Sequence, residues 1–182
     1  MTATQLVTAD ELYQMGSNAP YELIEGVLKK VSPSSTKTGV LGMRIGGAIL
    51  NYVDAGQLGY VTNADGGFIL NPDPATVVAP DVGFFRGDRY PGGMPDRGYL
   101  PLPPDLAVEV ISPTDRKADI AEKQALYTSA GVPLVWWVDP ERRTVTVYHA
   151  GADPEVIEAT GVLDGGAVLP GFTLELRTIF RD

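Results

Sequence analysis

Leu106-Ala107-Val108-Glu109-Val110-Ile111, followed after a helical interval by Leu134-Val135-Trp136-Trp137-Val138, decides the fold of this chain. Both runs are almost continuously apolar, the pattern of strands covered on both faces. Between them, residues 114–130 carry helical spacing that closes at Gly131. Strand, helix, strand is a βαβ unit, so the stretch predicts an α/β protein built on a mixed sheet with flanking helices and additional antiparallel strands.

Residues 143–149 place Val145 and Val147 between polar neighbours and predict a strand returning antiparallel through the turn at 139–142. Beyond it, short strands and one turn of helix are expected to Asp182. Upstream, strands are predicted at 59–62, 67–70 and 82–85. The Pro/Gly-rich segment 87–104, with Pro91, Pro95, Pro101, Pro103 and Pro104, reads as a long ordered loop or lid. Val40, Leu41, Ile45, Ala48, Ile49 and Tyr52 are spaced for a helix stopping at Gly56, with Gly42, Gly46 and Gly47 allowing close backbone packing. Residues 32–35 read as a loop, and 21–31 as a hairpin about Glu25-Gly26. Thr8-Ala9-Asp10-Glu11 has the form of a capping box opening a short helix through about Met15, ended by Gly16. No internal repeat is visible, and residues 1–182 are expected to form a single domain.

Composition narrows the chemistry. With no cysteine there is no thiolate catalysis and no Cys-bound metal; with one histidine, His149, there is no His cluster for zinc. No stretch has a signal-peptide core or the length of a membrane span, so a soluble cytoplasmic protein is expected. The formal charge of −9 argues against a broad phosphate-binding surface; a nucleic-acid partner would be met through a local patch or a metal ion.

Three polar residues stand where the apolar pattern predicts none. Asp81 follows Pro80 at the start of a strand, Glu109 interrupts a central one, and Lys123 shares a helical stripe with Ile120 and Tyr127. Each has a plain structural reading: a turn residue, half of a buried ion pair, a lysine snorkelling to water. Together they suggest more, because charges aimed into a core are costly unless they neutralise one another or hold a cation. Hard cations such as Mg²⁺ or Mn²⁺ take oxygen ligands. Asp81 and Glu109 would supply two, the main-chain carbonyl of Val110 a third, and Lys123 would orient or help deprotonate the attacking water.

Several blocks of the chain resemble the Uma2 family. They are Tyr21-Glu22-Leu23-Ile24-Glu25-Gly26, Pro80-Asp81-Val82, Val108-Glu109-Val110-Ile111-Ser112-Pro113, Lys123-x-x-x-Tyr127, Ala130-Gly131-Val132 and Val135-Trp136-Trp137-Val138-Asp139-Pro140. The resemblance spans roughly residues 8 to 180 and implies the restriction-endonuclease-like fold of the PD-(D/E)XK superfamily. By position it makes Asp81 the superfamily aspartate and Glu109 its second acidic residue. Lys123 becomes a migrated replacement for the lysine expected where this chain has Ile111. Glu22 matches an early glutamate of the family pattern and is a candidate supporting acid, with a hairpin surface residue as the plainer alternative. Many relatives carry a histidine in the loop where this chain has Thr38.

Three functions follow as expectations: a Mg²⁺-dependent endonuclease acting on DNA, a nuclease-fold binding or regulatory module without turnover, and an assembly protein with a buried ion-pair network. A homodimer is also expected. Trp136 and Trp137 alternate to opposite faces, so one could meet a partner, as could Phe84-Phe85 and Tyr99-Leu100.

Overall fold

The computed structural model describes residues 6–16, 20–31 and 35–181. The βαβ unit is present: β7 (Leu106–Val110) and β8 (Leu134–Asp139) pair in parallel, with Glu109 opposite Trp137, and α3 (Lys117–Ser129) connects them. The remaining pairings of the large sheet are antiparallel. Its order is β10 (Glu155–Ile157), β9 (Thr144–His149), β8, β7, β6 (Val82–Arg86), β3 (Gly59–Asn63).

A second, four-stranded sheet runs β2 (Val27–Lys30), β1 (Tyr21–Ile24), β5 (Ala75–Val78), β4 (Phe68–Pro72). The β1–β2 hairpin turns at Glu25 and Gly26, whose φ values of 49° and 78° fit a tight two-residue turn. Strand β5 is absent from the sequence reading, because its four residues sit beside Pro74 and Pro80 without visible alternation; all four are buried between two partners.

One face of the large sheet is covered by α2 (Thr36–Gly56), which buries Leu41, Ile45, Ile49 and Val53, an i, i+4 stripe. The helix begins at the Ser35 N-cap and stops at Gln57 in the left-handed conformation. Its packing is close at Gly42, where an added Cβ would lie 3.8 Å from the Cβ of Asp81. The β11 (Val162–Asp164)–β12 (Thr173–Glu175) ribbon and α4 (Leu176–Ile179) extend this layer, and Trp136 stacks on Phe172 inside it. The opposite face is covered by α3 and the small sheet, which enclose Val78, Ala107, Tyr127, Val135 and Trp137.

Short α1 (Ala9–Gln14) has the expected capping box, with Thr8 and Glu11 bonded reciprocally. Segment 87–104 opens with a 3-10 turn at Gly87–Arg89 and returns to the body where Leu100 bridges Phe68 and packs on Phe68 and Phe85.

Three expectations change. The 32–35 loop lies outside the described residues except for Ser35, and Thr38 is buried in the first turn of α2, so it is helical rather than in a loop. Trp136, Trp137, Phe84, Phe85 and Leu100 are all buried within the protomer, at 6 % exposure or less, so none of them is free to meet a partner. Val40 faces outward, because the buried stripe of α2 runs through Leu41 instead. No helix among the described residues is long and apolar enough to cross a membrane.

Candidate active site

Pleating of β7 sends Val108 and Val110 to the α2 face and Glu109 to the α3 face, beside Ala107 and Trp137. Helix α3 turns Lys123 and Tyr127, one turn apart, toward the same point. The helix is held there by Trp137, whose indole N–H donates to Gln124 Oε1 at 2.7 Å, and by Lys29 of β2, which pairs with Asp119 and Glu122.

Lys123 Nζ lies 2.8 Å from Glu109 Oε1 and 2.9 Å from Glu22 Oε1. The Tyr127 hydroxyl donates to the same Glu109 oxygen. Glu22 is not a surface residue of its hairpin: β1 lies between β2 and β5, and the Glu22 carboxylate turns inward, accepting the Ala79 N–H at 3.1 Å as well as the lysine. The side chains of Glu22 and Glu109 are each 10 % exposed and that of Lys123 19 %, so the cluster is mostly removed from water.

Asp81 occupies the bend before β6. Its Oδ2 accepts the backbone N–H of Val110 at 2.7 Å, which ties it to the residue after Glu109. It makes no ion pair with Lys123. The structure thus brings Glu109, Lys123 and Glu22 into direct contact, with Asp81 attached one residue along β7. Tyr127 is the member that sequence reasoning did not assign to the site. Its signal was present, since it follows Lys123 by one helical turn on the same stripe.

Electrostatics follow from three carboxylates facing one ammonium in low dielectric. Burial is the main force raising the Glu109 carboxyl to about 7, aided by the charges of Glu22 and Asp81 and opposed by Lys123. Asp81 is raised by burial as well, against the Val110 hydrogen bond and the attraction of Lys123. For Lys123 burial acts downward, but the two glutamates outweigh it and hold the amine above the usual lysine range. Tyr127 is raised by burial and by the adjacent Glu109 charge. Lys123 is therefore a fixed cation at neutral pH, suited to orienting an oxygen or stabilising developing negative charge but not to taking a proton.

Glu109 Oε1 receives both the lysine and the tyrosine, whereas no hydrogen bond among the described residues engages Glu109 Oε2 or Asp81 Oδ1. These oxygens, with their carboxyls pushed toward protonation, suit a hard divalent cation, whose charge would relieve both. Among the described residues, no three His, Asp or Glu side chains stand together at metal-ligand spacing.

Comparison with known proteins supports this architecture. The family model of Uma2, described as “Putative restriction endonuclease”, matches residues 9–177. Restriction-endonuclease-like enzymes generally use divalent metals. The structure is similar to a crystal structure from Anabaena variabilis ATCC 29413 described as “a putative nuclease belonging to DUF820”. The TM-score is 0.80 at 19% identity, covering 96% of this chain and 97% of that one, which shows a shared fold. A search of curated proteins finds no match.

Proposed function

This chain belongs to the Uma2 family, and on that premise we propose that it is a metal-dependent endonuclease that hydrolyses DNA phosphodiester bonds. The observation that carries the reading is that Glu109 and Asp81, linked through the Val110 N–H, each keep one carboxylate oxygen outside any hydrogen bond among the described residues, beside the buried Lys123 ammonium. Asp81, Glu109 and the Val110 carbonyl would hold Mg²⁺ or Mn²⁺. The cation, when bound, supplies Lewis-acid polarisation of the phosphate and a more acidic water.

The chain's own residues have separable roles. Glu22 and Glu109 fix the Lys123 ammonium so that it presents a constant positive charge to the phosphate oxygens. Tyr127 holds Glu109 Oε1 through its hydroxyl, while Oε2 takes no hydrogen bond among the described residues. The Val110 N–H holds Asp81 in its conformation at the strand end. Such preorganised charges stabilise a transition state without reorganising during the reaction.

Metal-induced thermal stabilisation tests the reading. Wild type should gain melting temperature in Mn²⁺, and Asp81→Ala and Glu109→Ala should lose that response. The competing reading is a structural ion-pair network, which the prior pairing of Lys123 with two carboxylates favours. It requires no metal response in the wild type.

A homodimer belongs to the same proposal, since two sites would address the two strands of a duplex. With the tryptophans buried, its support is the outer face of α2, where Met43 is 74 % exposed and Leu50 is exposed on the same stripe.

A further inference from the structure

A chain of formal charge −9 nevertheless gathers four cations around one cavity. The cavity measures about 380 Å³ and lies between the first turns of α2, the turn after β8 and the end of α4; Lys37, Arg44, Pro140, Arg143, Phe180 and Arg181 contribute to its wall. No carboxylate is among its described lining residues. Asp139, close by in the chain, is already engaged: Oδ1 accepts the N–H groups of Glu141 and Arg142, and Oδ2 pairs with the Arg142 guanidinium at 3.1 Å.

The two central arginines are anchored by carbonyls. Arg44 Nη1 donates to the carbonyls of Ile179 and Arg181, both at 2.6 Å, and Arg143 Nη2 to that of Phe180 at 2.6 Å. Carbonyls position a guanidinium without cancelling its charge. A guanidinium has five N–H donors on three nitrogens, and these bonds occupy one nitrogen of each. Arg143 holds its place at a φ of 57°, a conformation unusual for a residue with a side chain.

The cavity and the candidate active site lie at the same end of the large sheet's central strands. Because β7 and β8 run parallel, Val110 and Asp139 end on the same side, and Pro140 follows directly. Helix α2 links the two regions. Lys37 precedes Gly42, the residue packed against Asp81, by five residues, about 7.5 Å along the helix axis at 1.5 Å per residue.

We propose that Lys37, Arg44, Arg143 and Arg181 form a backbone-phosphate contact surface that holds duplex DNA across the end of the sheet that carries Asp81 and Glu109, with Lys123 of α3 beside them. The inference rests on the nuclease reading and adds where the substrate lies. Four clustered cations meet the requirement for phosphate contact, which in this acidic chain must come from a local patch.

The test is anisotropy of a labelled duplex oligonucleotide with the full chain in EDTA, so that binding is read without turnover. Lys37→Glu/Arg181→Glu avoids the arginines that anchor α4, and Lys30→Glu/Arg97→Glu changes the net charge equally elsewhere. Wild type should bind, the first pair should weaken binding roughly tenfold or more, and the salt slope should fall by about two units, as loss of two phosphate contacts requires. The control pair should stay within about twofold of wild type. Equal effects of the two pairs would overturn the surface, as would failure of wild type to bind. Stabilisation by inorganic phosphate without duplex binding would also overturn it, since that is a free-anion site. Plasmid cleavage is scored separately: metal-dependent cleavage with unaltered binding in the first pair would sink this surface and leave the nuclease reading intact.

Discussion

Lys123 and Glu22, separated by 101 residues in the chain, meet at 2.9 Å with both side chains mostly buried. The contact joins the small sheet to α3 and places Glu109 under the same ammonium. The site is thus a junction of both sheets and a helix, and disturbing one charge has consequences for folding as well as for chemistry.

Glu109 sets the clearest pH dependence. Its folded-state carboxyl lies near 7 against an ordinary value of 4.5, so the folded protein binds the extra proton between those limits. The contribution of this group to stability is therefore fully present below about 4.5 and is lost as pH rises through about 7. Glu109→Gln should raise the apo melting temperature at pH 8, by a stability change on the order of 2–3 kcal/mol, and have little effect at pH 5. Thermal melts at the two pH values check it; a variant less stable than wild type at pH 8 would refute it.

Removing the amine should act in the opposite direction. Lys123→Met leaves Glu22 and Glu109 buried without their cation and should cost about 2–4 kcal/mol at pH 8. The loss should shrink at pH 5, where Glu109 takes up a proton. Denaturant unfolding at both values gives the comparison, and a pH-independent loss would show that packing, not charge, accounts for the effect.

Tyr127→Phe deletes only the hydroxyl that donates to Glu109. A hydrogen bond to a charged acceptor contributes about 1.5–3 kcal/mol, and a loss in that range is expected above pH 7. The Glu109 carboxyl should also titrate at higher pH in the variant. Carbon-13 NMR of the carboxyl reads this directly, and an unchanged midpoint would mean that the hydroxyl does not stabilise the ionised form.

The outer face of α2 makes the assembly testable. Light scattering should return about twice the 19.4 kDa chain mass, and Met43→Glu should return the monomer. A monomeric wild type at tens of micromolar contradicts the dimer.

The centre of the large sheet was legible because β7 and β8 are nearly continuous apolar runs, β9 alternates, and the helix spacings between them are regular. The small sheet was only half legible: the β1–β2 hairpin is marked by Glu25-Gly26, but β5 is four residues bounded by prolines and is identified only by its neighbours. Asp81, Glu109 and Lys123 stood out as polar residues in apolar settings. Glu22 did not, because β1 is short and only pairing with β5 and contact with α3 bury it. Tyr127 looked like ordinary core for a related reason: a phenol on an apolar stripe reveals its hydrogen bond only once Glu109 is opposite. The cationic cavity draws on positions 37, 44, 143 and 181, which no local pattern connects.

The most direct measurement is conversion of supercoiled plasmid by purified wild type and Lys123→Ala in Mg²⁺, Mn²⁺ and EDTA, with Mn²⁺ binding measured on the same samples. The account predicts nicked and linear products from wild type only with metal. It also predicts loss of cleavage in Lys123→Ala while Mn²⁺ binding persists, since the amine is not a ligand. No cleavage by wild type in either metal, or undiminished cleavage by Lys123→Ala, would contradict it.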